Sequence, residues 1–283
     1  MLSRGVSAGG DGATQSVSTP RLVRVVAVLA AGFWGVLFFG LLDLLAFAQG
    51  PEVHASLLLS TGWGLLFVVL VAVPRCTTAF ARSAASAAVA AELSAVAVAL
   101  LAAAAMAASP RHLLPAAGVL ATAALVGGSS GVRRRALLPG WRPSWPCLSA
   151  VALAAGPCAA YAWTSARTYG TSVLTDDTWS LDHWPVQAAL PVAGLLVAGI
   201  AAGHPTGWRV ALWSVTAADL WFAAVSWAHP DLTGSVGRAW AVAMVGWAIG
   251  FVAVVMRTRA AVGAAPGAGP GLRPRRADGR VPA

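Results

Sequence analysis

Residues 55–73 read ASLLLSTGWGLLFVVLVAV, an apolar run without a charged side chain from end to end. A helix rises about 1.5 Å per residue, so roughly 20 such residues cross about 30 Å of hydrocarbon. A helix apolar on all sides belongs in a membrane or in the centre of a large core. Similar runs recur on either side of it. The expected spans cover residues 25–47, 55–73, 84–108, 113–127, 145–166, 185–203, 210–228 and 239–256, the fourth being the shortest.

The fold expected from this pattern is all-α: a polytopic transmembrane helix bundle of about eight spans. The transmembrane domain occupies residues 24–257. It lies between a polar, disordered N-terminal tail (1–23) and a Pro/Gly/Arg-rich, disordered basic tail (258–283). Composition agrees. Of 283 residues, 58% are hydrophobic and 10% charged, whereas a soluble domain carries about 25% charge. So few charges cannot cover a water-facing surface.

All 19 basic residues are arginine. The bias fits a GC-rich coding sequence, and it removes whole chemistries: without lysine there is no Walker-type phosphate loop, no Schiff-base cofactor and no retinal linkage. The three cysteines (Cys76, Cys147, Cys158) form no C-x-x-C pair, which leaves zinc ribbons, thioredoxin-type redox and c-type haem attachment without support. No cofactor is implied. The net charge of +9 is explained by arginines flanking spans, not by basic patches with stacking aromatics, so no nucleic-acid partner is expected.

Arginine also orients the chain. With eight spans, only Arg111, Arg167 and Arg238 fall on the side opposite the termini; the other 16 of 19 share the termini's side. The positive-inside rule then makes both termini cytoplasmic and the protein a multi-pass plasma-membrane protein. Trp141, Trp145 and Trp208 fall at inner span ends, and Trp163, Trp184, Trp227 and Trp240 at outer ones, as an aromatic belt requires. A rival parse cuts after the Ala46-Phe47-Ala48 triplet and leaves seven spans. The first apolar run is longer than the roughly 7–15 residues of a signal-peptide core, so the uncut reading is preferred.

Three carboxylates fall within spans: Asp43, Glu92 and Asp219. A charge at the bilayer centre costs about 2.5–3.5 kcal/mol on insertion scales, so such residues turn toward the bundle interior. Thr216, Asp219, Ala223 and Ser226 share one stripe of their helix, with Trp213 and Trp221 outside it. Glu92 shares a face with Ala85, Ala88, Ala99 and Ala103, a surface suited to close helix approach. No arginine is expected inside a span. The carboxyls then serve either as a proton or cation relay or as hydrogen-bonding glue between helices. Asp219 is expected to face the third or first span, beside a hydroxyl or another carboxyl.

Pro157 and Pro191 lie inside spans, where each removes a backbone hydrogen bond and kinks its helix; this suits either a transporter site or a passive bundle. Four histidines, His54, His112, His183 and His229, fall on the outer side beside Glu52, Asp176, Asp177, Asp182 and Asp231. These are weak metal candidates, because they come from separate loops without ligand spacing. Ala90-Ala91-Glu92-Leu93 resembles Ala217-Ala218-Asp219-Leu220, a faint hint of a 4+4 repeat.

With its Arg-only basicity, Ala-rich spans and segments such as Phe39-Gly40-Leu41-Leu42-Asp43-Leu44 and Thr61-Gly62-Trp63-Gly64-Leu65-Leu66, the chain resembles the hypothetical multi-pass membrane proteins of high-GC Gram-positive bacteria. That resemblance implies no activity. Three readings follow from the residues. The first is a transport or transport-accessory role. The second is a non-catalytic membrane partner or sensor, whose basic tail contacts anionic lipid or a protein. The third is a membrane haem or metal redox protein. The lipid bilayer is a partner in all three, and no catalytic constellation is evident.

Overall fold

A computed structural model of the chain describes residues 21–48, 55–80, 85–129, 140–173 and 177–264. The N-terminal tail as far as residue 20, the segment carrying Glu52 and His54, Asp176, the arginine cluster at 133–135 and the basic tail from residue 265 lie outside the described residues.

In chain order the helices are α1 (Arg21–Gly32), α2 (Gly40–Leu44), α3 (Leu57–Gly64), α4 (Val73–Phe80), α5 (Ala85–Met106), α6 (Leu113–Ser129), α7 (Trp145–Thr168), α8 (His183–Ala202), α9 (Trp208–Ala228) and α10 (Gly237–Ala264). Stretches of wider π-type turns, Phe33–Leu37 and Leu65–Ala72, extend α1 and join α3 to α4. Between α7 and α8 a minimal hairpin pairs β1 (Asp177–Thr178) with β2 (Leu181–Asp182), Asp177 facing Asp182. α10 runs on to Ala264, into the stretch read from sequence as tail.

Among the described residues six helices are long and apolar enough to cross a membrane, not eight: Leu57–Ala79, Ala87–Met106, Trp145–Thr168, His183–Ala202, Trp208–Ala228 and Gly237–Ala261. The two that fall short are the expected first and fourth spans. α6 has 17 residues, at the lower limit for crossing. The first span is broken. Helix stops at Leu37, Phe39 takes a left-handed φ of 61°, and Gly40 starts α2.

Packing explains the break. Phe38 stacks on Trp63 (5.1 Å between rings) and Trp34 on Phe67 (5.4 Å), while the Trp63 indole donates to the Phe38 carbonyl at 3.0 Å. That bond satisfies a carbonyl at the break, which would be costly to leave bare in a membrane. Gly40 is required: a Cβ there would lie 2.8 Å from the Trp34 carbonyl and 2.9 Å from Val68 Cγ2. Gly64 likewise admits the backbone of Leu44, 2.4 Å from where its Cβ would be. The broken segment nonetheless packs α1 against α4 and α2 against α3, so it follows that helix from end to end.

The helix from Leu57 to Ala79 is the hub, with 89% of its apolar window buried, against 11% for α7 and 22% for α10 at the periphery. Lipid is as apolar as leucine, so close van der Waals packing and interhelical hydrogen bonds must hold these helices together. Small residues permit it. Ala88, Ala99 and Ala103 on the Glu92 face of α5 are buried, and α5 packs against both α6 and α8. These features make the chain an all-α, multi-pass integral membrane protein.

Candidate functional site

Mid-way along α9, Asp219 opens into a cavity of about 680 Å³ walled by α7, α8, α9 and α10, with Leu70 of the hub helix and the α9–α10 loop completing it. Cavities that hold small molecules span about 300–1,000 Å³ and are mostly apolar with a few polar groups. This one fits. Leu153, Leu190, Leu195, Phe222, Met244 and Trp247 supply apolar wall, and small residues such as Ala154, Gly194, Ala218 and Ala243 leave the room. Pro157 and Pro191 both line it, inside helices that continue through them.

Asp219 is half-buried, and among the described residues its carboxylate has no hydrogen-bond or ion-pair partner. The Cys158 thiol, also on the wall, is near enough to sense its charge. Hydroxyls of Tyr161, Thr164 and Ser235 line the same cavity, but none of them bonds to Asp219. Its stripe does turn inward: Thr216, Ala223 and Ser226 are buried, while Trp213 is 55% and Trp221 37% exposed. Thr216 and Ser226 face packed protein, and the Thr216 hydroxyl bonds back to the Leu212 carbonyl at 2.7 Å.

Glu92 does not join this site. It is fully buried on α5, where Ser214 of α9 donates to its Oε1, while Oε2 has no partner among the described residues. Ser214 gave no signal in the sequence beyond being a hydroxyl in a span. Asp43 is half-buried on α2, remote from α9 in the chain and not on the cavity wall.

The expectation that no arginine enters a span is corrected by Arg75. The turns of Leu65–Ala72 widen ahead of Pro74, so the missing proline N–H does not stop the helix, which continues to Phe80. Arg75 is thereby carried inside and is 1% exposed; its Nη1 donates to the Thr122 carbonyl at 3.4 Å, and Trp34 donates to the Thr122 hydroxyl at 3.2 Å.

A second polar group ties the end of the bundle where α8 begins. His112 Nε2 faces the Asp182 carbonyl at 2.8 Å, so that nitrogen must carry the proton; Nδ1 then accepts from Ser109 Oγ at 2.7 Å. Asp182 caps α8, accepting from the Trp184 N–H at 2.8 Å. His183 stacks on Trp63 at 4.4 Å, with its Nε2 3.0 Å from Thr178 Oγ1. Burial holds the His112 imidazole below its ordinary pKa; the bond to the Asp182 carbonyl works against this, and nearby His183 adds to it.

His112 and His183 are thus structural partners of loops and helix ends. His229 is half-buried at the end of α9 and His54 lies outside the described residues. Among the described residues no three His, Cys, Asp or Glu side chains gather to hold an ion, so the metal or haem reading finds no ligand set there.

Between these two regions runs a chain of bonds the sequence did not suggest. Gln187 Nε2 donates to the Tyr161 hydroxyl at 2.6 Å, and Tyr161 donates to the Gly234 carbonyl at 2.5 Å. The Gln187 amide sits in a notch at Gly62, 1.7 Å from where a Cβ would lie. This fastens the α9–α10 loop, whose Ser235 and Val236 line the cavity.

Compared with protein-family models, curated proteins and solved structures, the chain matches none.

Proposed function

We propose that this chain is a plasma-membrane protein with both termini cytoplasmic that serves transport, taking a small, largely apolar solute into the cavity around Asp219. One observation carries the reading: a cavity of about 680 Å³ half-way along α9, with a carboxylate on its surface that none of the described residues neutralises. A mid-membrane carboxylate is expensive unless it faces protein, water or a ligand. The periphery supports a route in: α7 and α10, the least buried of the six long helices, form part of the wall, so a solute dissolved in the bilayer reaches it without crossing the core.

The eight-crossing topology belongs to the same proposal, with the broken first segment and the 17-residue α6 as the two additional crossings. So does the 4+4 relation, which would make α5 and α9 counterparts.

Flux in proteoliposomes tests this. A panel of small amphiphiles of either charge and of none is loaded, and their release is compared with protein-free liposomes. Release of at least one class should be faster with protein and should be slowed by Ala154→Trp, which narrows the cavity. Equal release from both kinds of vesicle across the whole panel would end the transport reading. The partner or sensor reading has its own support in α7, which shows most of its surface outward.

A further inference from the structure

The wall of the cavity is almost devoid of free hydrogen-bond donors. Tyr161 commits its hydroxyl proton to the Gly234 carbonyl at 2.5 Å. Thr164 commits its own to carbonyls of its helix at 3.0 Å, Ser235 to the Ser226 carbonyl at 3.3 Å, and the Trp247 indole to the Ala150 carbonyl at 2.8 Å. What remains on offer is the opposite. The Asp219 carboxylate accepts and has no partner among the described residues. Pro157 has no N–H, so the helical carbonyl four residues earlier, at Leu153 on the same wall, loses its donor. Only Trp240 and the weak Cys158 thiol stand apart from this pattern.

Such a wall has one negative group, a spare carbonyl and aromatic rings (Tyr161, Phe222, Trp240, Trp247) whose faces attract cations. Arg75, the buried cation among the described residues, bonds to Thr122 on α6 and does not line the cavity. A neutral solute leaves Asp219 uncompensated; an anion adds repulsion to it. We infer that the cavity selects a hydrophobic organic cation of the amine class, its ammonium N–H groups on Asp219 and its apolar body against the α7, α8 and α10 wall. This rests on the reading of the cavity as the solute site, and it names the solute's chemistry.

Three probes of matched shape separate charge from hydrophobicity: 3,3-diphenylpropylamine, 3,3-diphenylpropanol and 3,3-diphenylpropionate. Binding is measured by equilibrium dialysis against the full-length protein in zwitterionic nanodiscs, with empty nanodiscs subtracting partition into lipid. The amine should bind at least about tenfold more tightly than the alcohol, a difference of about 1.4 kcal/mol, and the propionate should bind weakest. In Asp219→Asn the amine and the alcohol should bind alike, while Asp219→Glu should keep the preference. Should Asp219→Asn not give a monodisperse protein, Asp219→Ser takes its place.

Equal binding of amine and alcohol, binding of none of the three, or a preference that survives Asp219→Asn would each overturn the inference. The transport reading fails separately. Amine that binds but does not move in proteoliposomes leaves the ligand class standing, and alcohol that moves without amine preference leaves transport standing.

Discussion

Glu92 and Asp219 are both carboxylates inside helices, yet the protein treats them differently. Glu92 is sealed in the core and depends on one hydroxyl, that of Ser214. Removing that partner leaves a buried acid without a hydrogen bond, which costs about 1–3 kcal/mol. Ser214→Ala should therefore lower the thermal midpoint in detergent, and Glu92→Leu in the same background should recover much of the loss, since the orphaned group is then gone. An additive double mutant would show that the pair is not coupled. Asp219 has no such bond to a neighbour among the described residues. Its location within a span is legible from sequence because a single Asp in an apolar run is conspicuous. Its lack of a partner is not, because that depends on what three other helices present to it.

At the scale of the element, helix ends are tied by His112, which bridges Ser109 after α5 and the carbonyl that precedes α8. The folded protein favours neutral His112, since its pKa is lowered by burial. An unfolded histidine titrates near pH 6.5 (about the value in model peptides). The stability tied to neutral His112 is thus complete above that pH. Below it the unfolded state takes up the proton first, so stability declines until the folded-state pKa is passed. The thermal midpoint should fall between pH 7.5 and pH 5, and His112→Gln should show a lower midpoint with a flatter pH profile. An unchanged slope in the variant would place the acid sensitivity elsewhere. The sequence placed His112 on the outer side as a weak metal candidate; both of its ring nitrogens are instead engaged within the protein. Spacing along the chain does not reveal this, because Asp182 lies 70 residues away.

For the whole molecule, arginine distribution is the argument for orientation. With Arg75 inside a span, 15 arginines remain on one predicted side and 3 on the other, so both termini should be cytoplasmic. A cytoplasm-active reporter fused after Ala283 should be active, and one that works outside should be active when inserted at Thr178. The first broken segment is tested by the same approach: a fusion in the 49–54 stretch should report the outer side if residues 25–47 cross. An inner report there would reduce the crossings and detach the N-terminus from the side of the C-terminus.

The sequence by itself determined the class of solvent, the all-α fold and the approximate place of most spans. Hydrocarbon leaves a long uncharged run no alternative to a helix, because each backbone group must be satisfied within its own segment. It also exposed the intramembrane acids and both internal prolines, which the structure brings to one cavity except for Glu92 and Asp43. Only the tertiary structure decided the rest. Hydropathy does not register the break at Phe39, since the residues remain apolar and the cause is a set of rings and glycine notches on α3 and the π-type turns that follow it. The inclusion of Arg75 follows from π-type turns that carry a helix past a proline. The donor-poor character of the cavity arises because the Tyr161, Thr164 and Ser235 hydroxyls and the Trp247 indole each found a carbonyl, a pairing set by three-dimensional contact and not by order along the chain.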